Sequence, residues 1–170
     1  MQMRVGLSGI EMRYVAYVGV LRQQAAVEKG RPEPYGAPPR DPTENHALGA
    51  AAEYVVSRTL GRHWYAVLER VTGAPDVFPN IHVRSTTYAN GRLILHDTAR
   101  DPEDGTFVLV TGTPPTLTMV GWIHGANGKQ TRWWGDPARK GRPAFFVPQA
   151  ALRPMSELLP GAAFVPGNRF

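Results

Sequence analysis

The run Phe107-Val108-Leu109-Val110 constrains the fold most, because four consecutive apolar residues leave a strand no face to turn to water. Such a segment fits a central strand with a packed layer on each side. Its neighbours suit a sheet. Tyr88-Ala89-Asn90-Gly91 ends in the dipeptide that most favours a hairpin, so Arg92-Leu93-Ile94-Leu95-His96 is expected to return antiparallel to residues 81–87. Residues 100–105 read as a charged turn. Thr113-Pro114-Pro115 breaks the central strand, a further strand runs from Leu117 to Gly125, and Ala144-Phe145-Phe146-Val147-Pro148-Gln149 closes the sheet. Residues 62–74 fit a short strand or an irregular approach.

The N-terminal third is helical in pattern. Ser8 and Glu11 have the spacing of a capping box, Leu7 and Met12 that of a hydrophobic staple, and Gly30 followed by Pro32 stops the helix. Met12, Val15, Ala16, Gly19 and Ala26 form its apolar stripe, while Arg13, Arg22, Gln23 and Gln24 read as a solvated face. Proline-rich residues 31–42 exclude helix and ladder, and make a surface crossing or a flap beside a groove. Thr43 or Asn45 then caps a second helix that runs to about Leu60 and ends at Gly61. Leu48, Ala51, Ala52, Val55, Val56 and Leu60 form its buried side, with Glu53 at the border. A short helical piece follows at residues 149–159. This order of elements describes an α/β or α+β sheet domain over residues 1–160, with a poorly ordered tail at 161–170.

Charge and composition narrow the function classes. The 170 residues carry a net charge of +5, with a pI near 9.9, which suits a polyanionic partner such as nucleic acid. No cysteine is present, so thiolate metal sites and disulfides are excluded and a reducing cytoplasm is the expected setting. No apolar run approaches the ~20 residues that span a bilayer, and a secretory leader pattern is missing.

Two stretches carry chemistry. In Ala74-Pro75-Asp76-Val77-Phe78-Pro79-Asn80-Ile81-His82-Val83-Arg84-Ser85-Thr86-Thr87 a proline turn with one acid leads into a strand, whose alternation puts His82, Arg84 and Thr86 on one face. Asp76 stands at the mouth of that strand. The second stretch, residues 128–143, sets Lys129, Arg132, Arg139, Lys140 and Arg142 around Trp133 and Trp134 with Asp136 as its only acid. Cations beside flat rings suit phosphates and unpaired bases, so these residues are candidates for nucleic-acid contact.

The first stretch resembles the PD-(D/E)XK nucleases, in which Pro-Asp precedes an acid-x-Lys strand end; His82 stands in the acid's place and Arg84 in the lysine's. The chain from about residue 45 to 158 also resembles small phage-encoded members of that superfamily. Shared features are Gly49 to Glu53 on a helix, Asp76-Val77, Val83-Arg84, Val108-Leu109-Val110, Gly121-Trp122-Ile123 and residues 144–149. The resemblance implies a restriction-endonuclease-like mixed central sheet flanked by helices. It further implies metal-dependent hydrolysis of phosphodiester bonds in DNA, in a host cytoplasm where the chain is phage-encoded. Glu53, Asp76 and His82 would hold Mg²⁺ or Mn²⁺ together with the Val83 carbonyl, and Arg84 would hold a phosphate oxygen. Imidazole suits Mn²⁺, Fe²⁺ or Zn²⁺ better than Mg²⁺, so His82 implies a softer metal, a general base, or a site without catalysis. The alternatives are a catalytically inactive nucleic-acid-binding module and a phage structural or host-interaction protein.

Overall fold

The computed structural model describes residues 2–30, 41–68, 71–137, 139 and 141–160. Residues 31–40 of the expected 31–42 loop and the tail at 161–170 lie outside the described residues, and the last two positions of that loop, Asp41 and Pro42, begin the second helix instead. Strand β1 (Met3–Gly6) leads into helix α1 (Gly9–Glu28), helix α2 (Pro42–Thr59) and strand β2 (Ile81–Thr86). Strand β3 (Leu93–Leu95), strands β4 (Thr106–Thr113) and β5 (Thr116–His124), the two-residue β6 (Trp134–Gly135) and β7 (Ala144–Val147) follow. The architecture is mixed α/β. A four-stranded sheet, in the order β1-β5-β4-β2, is antiparallel except for the parallel pair β2 and β4. A smaller antiparallel sheet has the order β3-β7-β6.

Strand β4 shows why its sequence is apolar throughout. Val108 and Val110 join Ile81, Val83, Leu117 and Met119 in a core closed by α1 and α2 through Val15, Val18, Ala51 and Val55. Phe107 and Leu109 join a second core with Leu93, Leu95, Phe145 and Val147 of the smaller sheet. The helices thus cover one face and the small sheet the other.

Helix α1 starts as its sequence predicts. The Ser8 hydroxyl accepts from the Glu11 amide at 3.4 Å, and the Glu11 carboxylate accepts from the Ser8 amide at 2.7 Å. The Glu11 carboxyl is held down at about 2, first by that backbone bond, then by the Ser8 hydroxyl and Arg58. The second helix starts earlier than Thr43 or Asn45: Asp41 is the N-cap, its carboxylate accepting from the Thr43 amide at 2.9 Å, and Pro42 takes the first turn. Proline fits there because the amide it lacks would have no helical partner.

The chain packs α1 on α2 at very close range. A Cβ on Gly19 would lie 2.7 Å from the backbone of Ala47, so only glycine fits that crossing.

Two other expectations are corrected. The chain does turn at residues 88–91, with the Gly91 amide on the Tyr88 carbonyl at 3.0 Å, but β3 pairs with β7 rather than with β2. Gln149 donates to the Ala89 and Gly91 carbonyls and directs this segment toward the small sheet. Residues 149–159 form two 3₁₀ turns, Gln149–Ala151 and Met155–Glu157, instead of a helix with one packed side. Residues 62–68 and 71–74 are irregular. Among the described residues, no helix is long and apolar enough to cross a membrane.

Candidate functional site

Strand β2 lies at the edge of the large sheet, and the Asp76 turn covers its outer side. The Asp76 and Val77 amides both donate to the Ile81 carbonyl at 2.9 Å, which folds the turn back on the strand. The Asp76 carboxylate then accepts from the Val83 amide at 2.7 Å. An edge amide that would face water is thereby satisfied.

The guanidinium of Arg84 organises the surrounding charges. It donates to the Val83 carbonyl at 3.0 Å, lies 3.7 Å from the Asp76 carboxylate, and forms a close ion pair with Asp101. Its flat face lies over the Phe107 ring at 5.3 Å. Asp101 is fully buried and also accepts from the His96 amide at 2.6 Å and meets His96 Nδ1 at 2.9 Å. Burial would raise its carboxyl, but the His96 bonds and the Arg84 charge outweigh that and hold it at about 2. Asp101 is therefore a carboxylate at neutral pH.

His82 and Arg84 share the face of β2 that meets the small sheet, as alternation predicts. The His82 ring stacks on Phe107 with centroids 4.7 Å apart and planes 17° apart, and Gly105 leaves the room its imidazole occupies. Glu53 is elsewhere. It lies in the helix layer, 2 % exposed, where Arg22 donates to both its oxygens at 3.0 and 2.7 Å and the Trp64 indole donates at 3.1 Å. Arg22, read from the sequence as solvated, is buried because this bidentate pair holds α1, α2 and the following segment together; its Nε also donates to the Val67 carbonyl.

The structure thus brings Asp76 and Arg84 together, sets His82 two residues along on the same face, and places Glu53 across the sheet. Among the described residues, no three acid or imidazole groups gather as a metal cage. The donor set that the resemblance implies does not fit a divalent ion. Both Glu53 oxygens serve Arg22, and the Val83 carbonyl and Asp76 face the Arg84 guanidinium. The positive charge at the end of β2 is supplied by the chain itself.

Sequence reading missed Arg22, Asp101 and His96. Arg22 could have been found, since Val15, Val18, Gly19 and Arg22 fall on one helical stripe, the buried one. Asp101 had no such signal, because it sits in a run with Asp97, Glu103 and Asp104 that looks equally solvated.

The basic segment is an exposed rim beside the small sheet. Arg132 stacks on Trp133 at 4.4 Å, and Trp134 leans on Phe145 with centroids 4.7 Å apart while 42 % exposed. Arg132, Arg139 and Arg142 are exposed and Lys129 is half-buried. Asp136 is engaged inside the loop, accepting from the Gly141 amide at 2.7 Å and the Arg142 amide at 3.2 Å. Lys140 lies outside the described residues. Compared with known families, curated proteins and solved structures, the chain matches none of them.

Proposed function

We propose that this chain is a nucleic-acid-binding module of restriction-endonuclease-like build, gripping DNA through the rim at residues 129–142. The observation that carries this reading is the exposed Trp134 ring, backed by Phe145 and set among arginines beside the Arg132–Trp133 stack. A ring held from behind gives up little freedom when a base stacks on it, and each neighbouring cation that meets a phosphate releases counterions. The acid of the segment is turned to backbone amides, which leaves the rim predominantly cationic.

Fluorescence anisotropy with labelled single- and double-stranded DNA between 50 and 200 mM salt tests the proposal. Affinity should fall with salt, and Trp134→Ala should weaken it by about 1–3 kcal/mol, roughly 5- to 150-fold. Asp76→Asn should leave it unchanged. Absence of binding at 50 mM salt, or full affinity in Trp134→Ala, refutes it.

Cleavage of DNA with Mg²⁺ or Mn²⁺ is the contrary outcome, since both carboxylates beside the edge strand, Asp76 and Asp101, are engaged by Arg84. Incubating the same preparation with either metal decides it. Wild-type cleavage that Asp76→Asn abolishes establishes hydrolysis, and uncut DNA leaves binding alone.

A further inference from the structure

Among the described residues, the outer side of helix α1 is largely apolar and exposed. Its buried stripe is Val15, Val18, Gly19 and Arg22, yet Ile10, Tyr17, Val20 and Val27 on the outer side are exposed, Tyr17 by 62 % and Ile10 by 78 %, while Tyr14 at the border is partly exposed and meets the Tyr54 and Trp64 rings edge-on. Among the described residues, exposed Tyr65, Val67, Leu68 and Val71 add to the apolar surface, and the Val67 carbonyl ties that segment to α1 through Arg22. Exposed apolar side chains gathered on one helix face are the composition of an interaction site.

The spacing along the helix says what covers it. The outer band consists of residues 10, 13, 14, 17, 20, 21, 24, 27 and 28, exposed except for the half-buried Leu21, and its charged members are Arg13 and Glu28. Turned end to end about a point between Val20 and Leu21, the band from 13 to 28 falls on itself. Arg13 then meets Glu28 of a second copy, Tyr14 meets Val27, Tyr17 meets Gln24, and Val20 meets Leu21. A two-fold axis makes each of these contacts twice, and both charged pairs are of opposite sign. A parallel pairing would set Arg13 against Arg13 and Glu28 against Glu28.

We propose that α1 is the interface of an antiparallel homodimer, with Tyr17 and Val20 as its apolar centre and reciprocal Arg13–Glu28 pairs at its ends. A helix of 20 residues is about 30 Å long and would bury on the order of 1,200 Å² in total with the flanking side chains. That is the small end of specific interfaces.

Sedimentation velocity between about 1 and 200 μM, with circular dichroism to confirm folding, tests the pairing. Wild type should pass from monomer to dimer, and Tyr17→Arg should stay monomeric. Arg13→Glu and Glu28→Arg should each weaken association by at least about tenfold, and the double exchange should restore it to within about threefold of wild type. The chain has no cysteine, so a mixture of Arg13→Cys and Glu28→Cys proteins should cross-link on oxidation where neither does alone. A wild type that is monomeric throughout overturns the proposal. So does a dimer indifferent to Tyr17→Arg, or a double exchange no better than the singles.

Discussion

Asparagine at position 101 keeps the shape of the side chain and removes the charge that Arg84 and His96 share. The carboxyl lies at about 2 instead of 3.8, against the upward push of its own burial, because the His96 bonds and the Arg84 guanidinium favour the ionised form. At about 1.4 kcal/mol per pH unit this difference is worth about 2–3 kcal/mol to the folded state. The sign follows from a folded value below the unfolded one: the contribution is complete above the unfolded value and disappears as pH falls through the folded one. Breaking a buried ion pair from one side costs about 3–5 kcal/mol, which sets the upper end, since Arg84 would be left facing an amide. Asp101→Asn should therefore lose about 2–4 kcal/mol at pH 7, or roughly 5–15 °C in Tm for a chain of this size. Urea unfolding of both proteins at pH 7, 5, 3 and 2 measures the gap. It should shrink below pH 4, as wild-type Asp101 takes up its proton. A gap under about 0.5 kcal/mol at pH 7, or one that persists undiminished at pH 2, would refute this account of the Arg84 cluster.

Glu53→Gln should destabilise the chain by about 3–5 kcal/mol in chemical denaturation, because Arg22 stays buried without its counter-charge, and the paired change Arg22→Met with Glu53→Leu should recover most of that loss. Gly19→Ala should cost about 1–3 kcal/mol although alanine is the better helix former, because the new methyl meets the Ala47 backbone; a neutral result would show that the helices can part. Ser8→Ala should cost about 1 kcal/mol, and NMR titration should find the Glu11 carboxyl raised from about 2 through loss of the Ser8 hydroxyl.

Local chemistry was the legible part of the sequence. The Ser8–Glu11 box, the stop at Gly30, the buried side of α2 and the doubly covered β4 each depend on neighbours within a few residues, and each forms as expected. Pairing between distant segments was not legible. The turn at Asn90-Gly91 signals a reversal without naming the strand that receives it, and β3 goes to β7 because Gln149 holds the turn from the far end of the chain. In the candidate site, alternation correctly put His82 and Arg84 on one face, whereas the location of Glu53 depended on whether Arg22 faced water or the helix pair. Charge alone does not say which acid finds a buried partner, and Asp101 was passed over for that reason.

Strand β4 is a partition wall seen from two rooms. Residues 107 and 109 furnish one side and residues 108 and 110 the other, so a combinatorial library varied at the odd positions would explore the chamber with the small sheet and leave the helical chamber unsampled. Repacking can proceed on each side in turn, provided that the strand between them keeps its register.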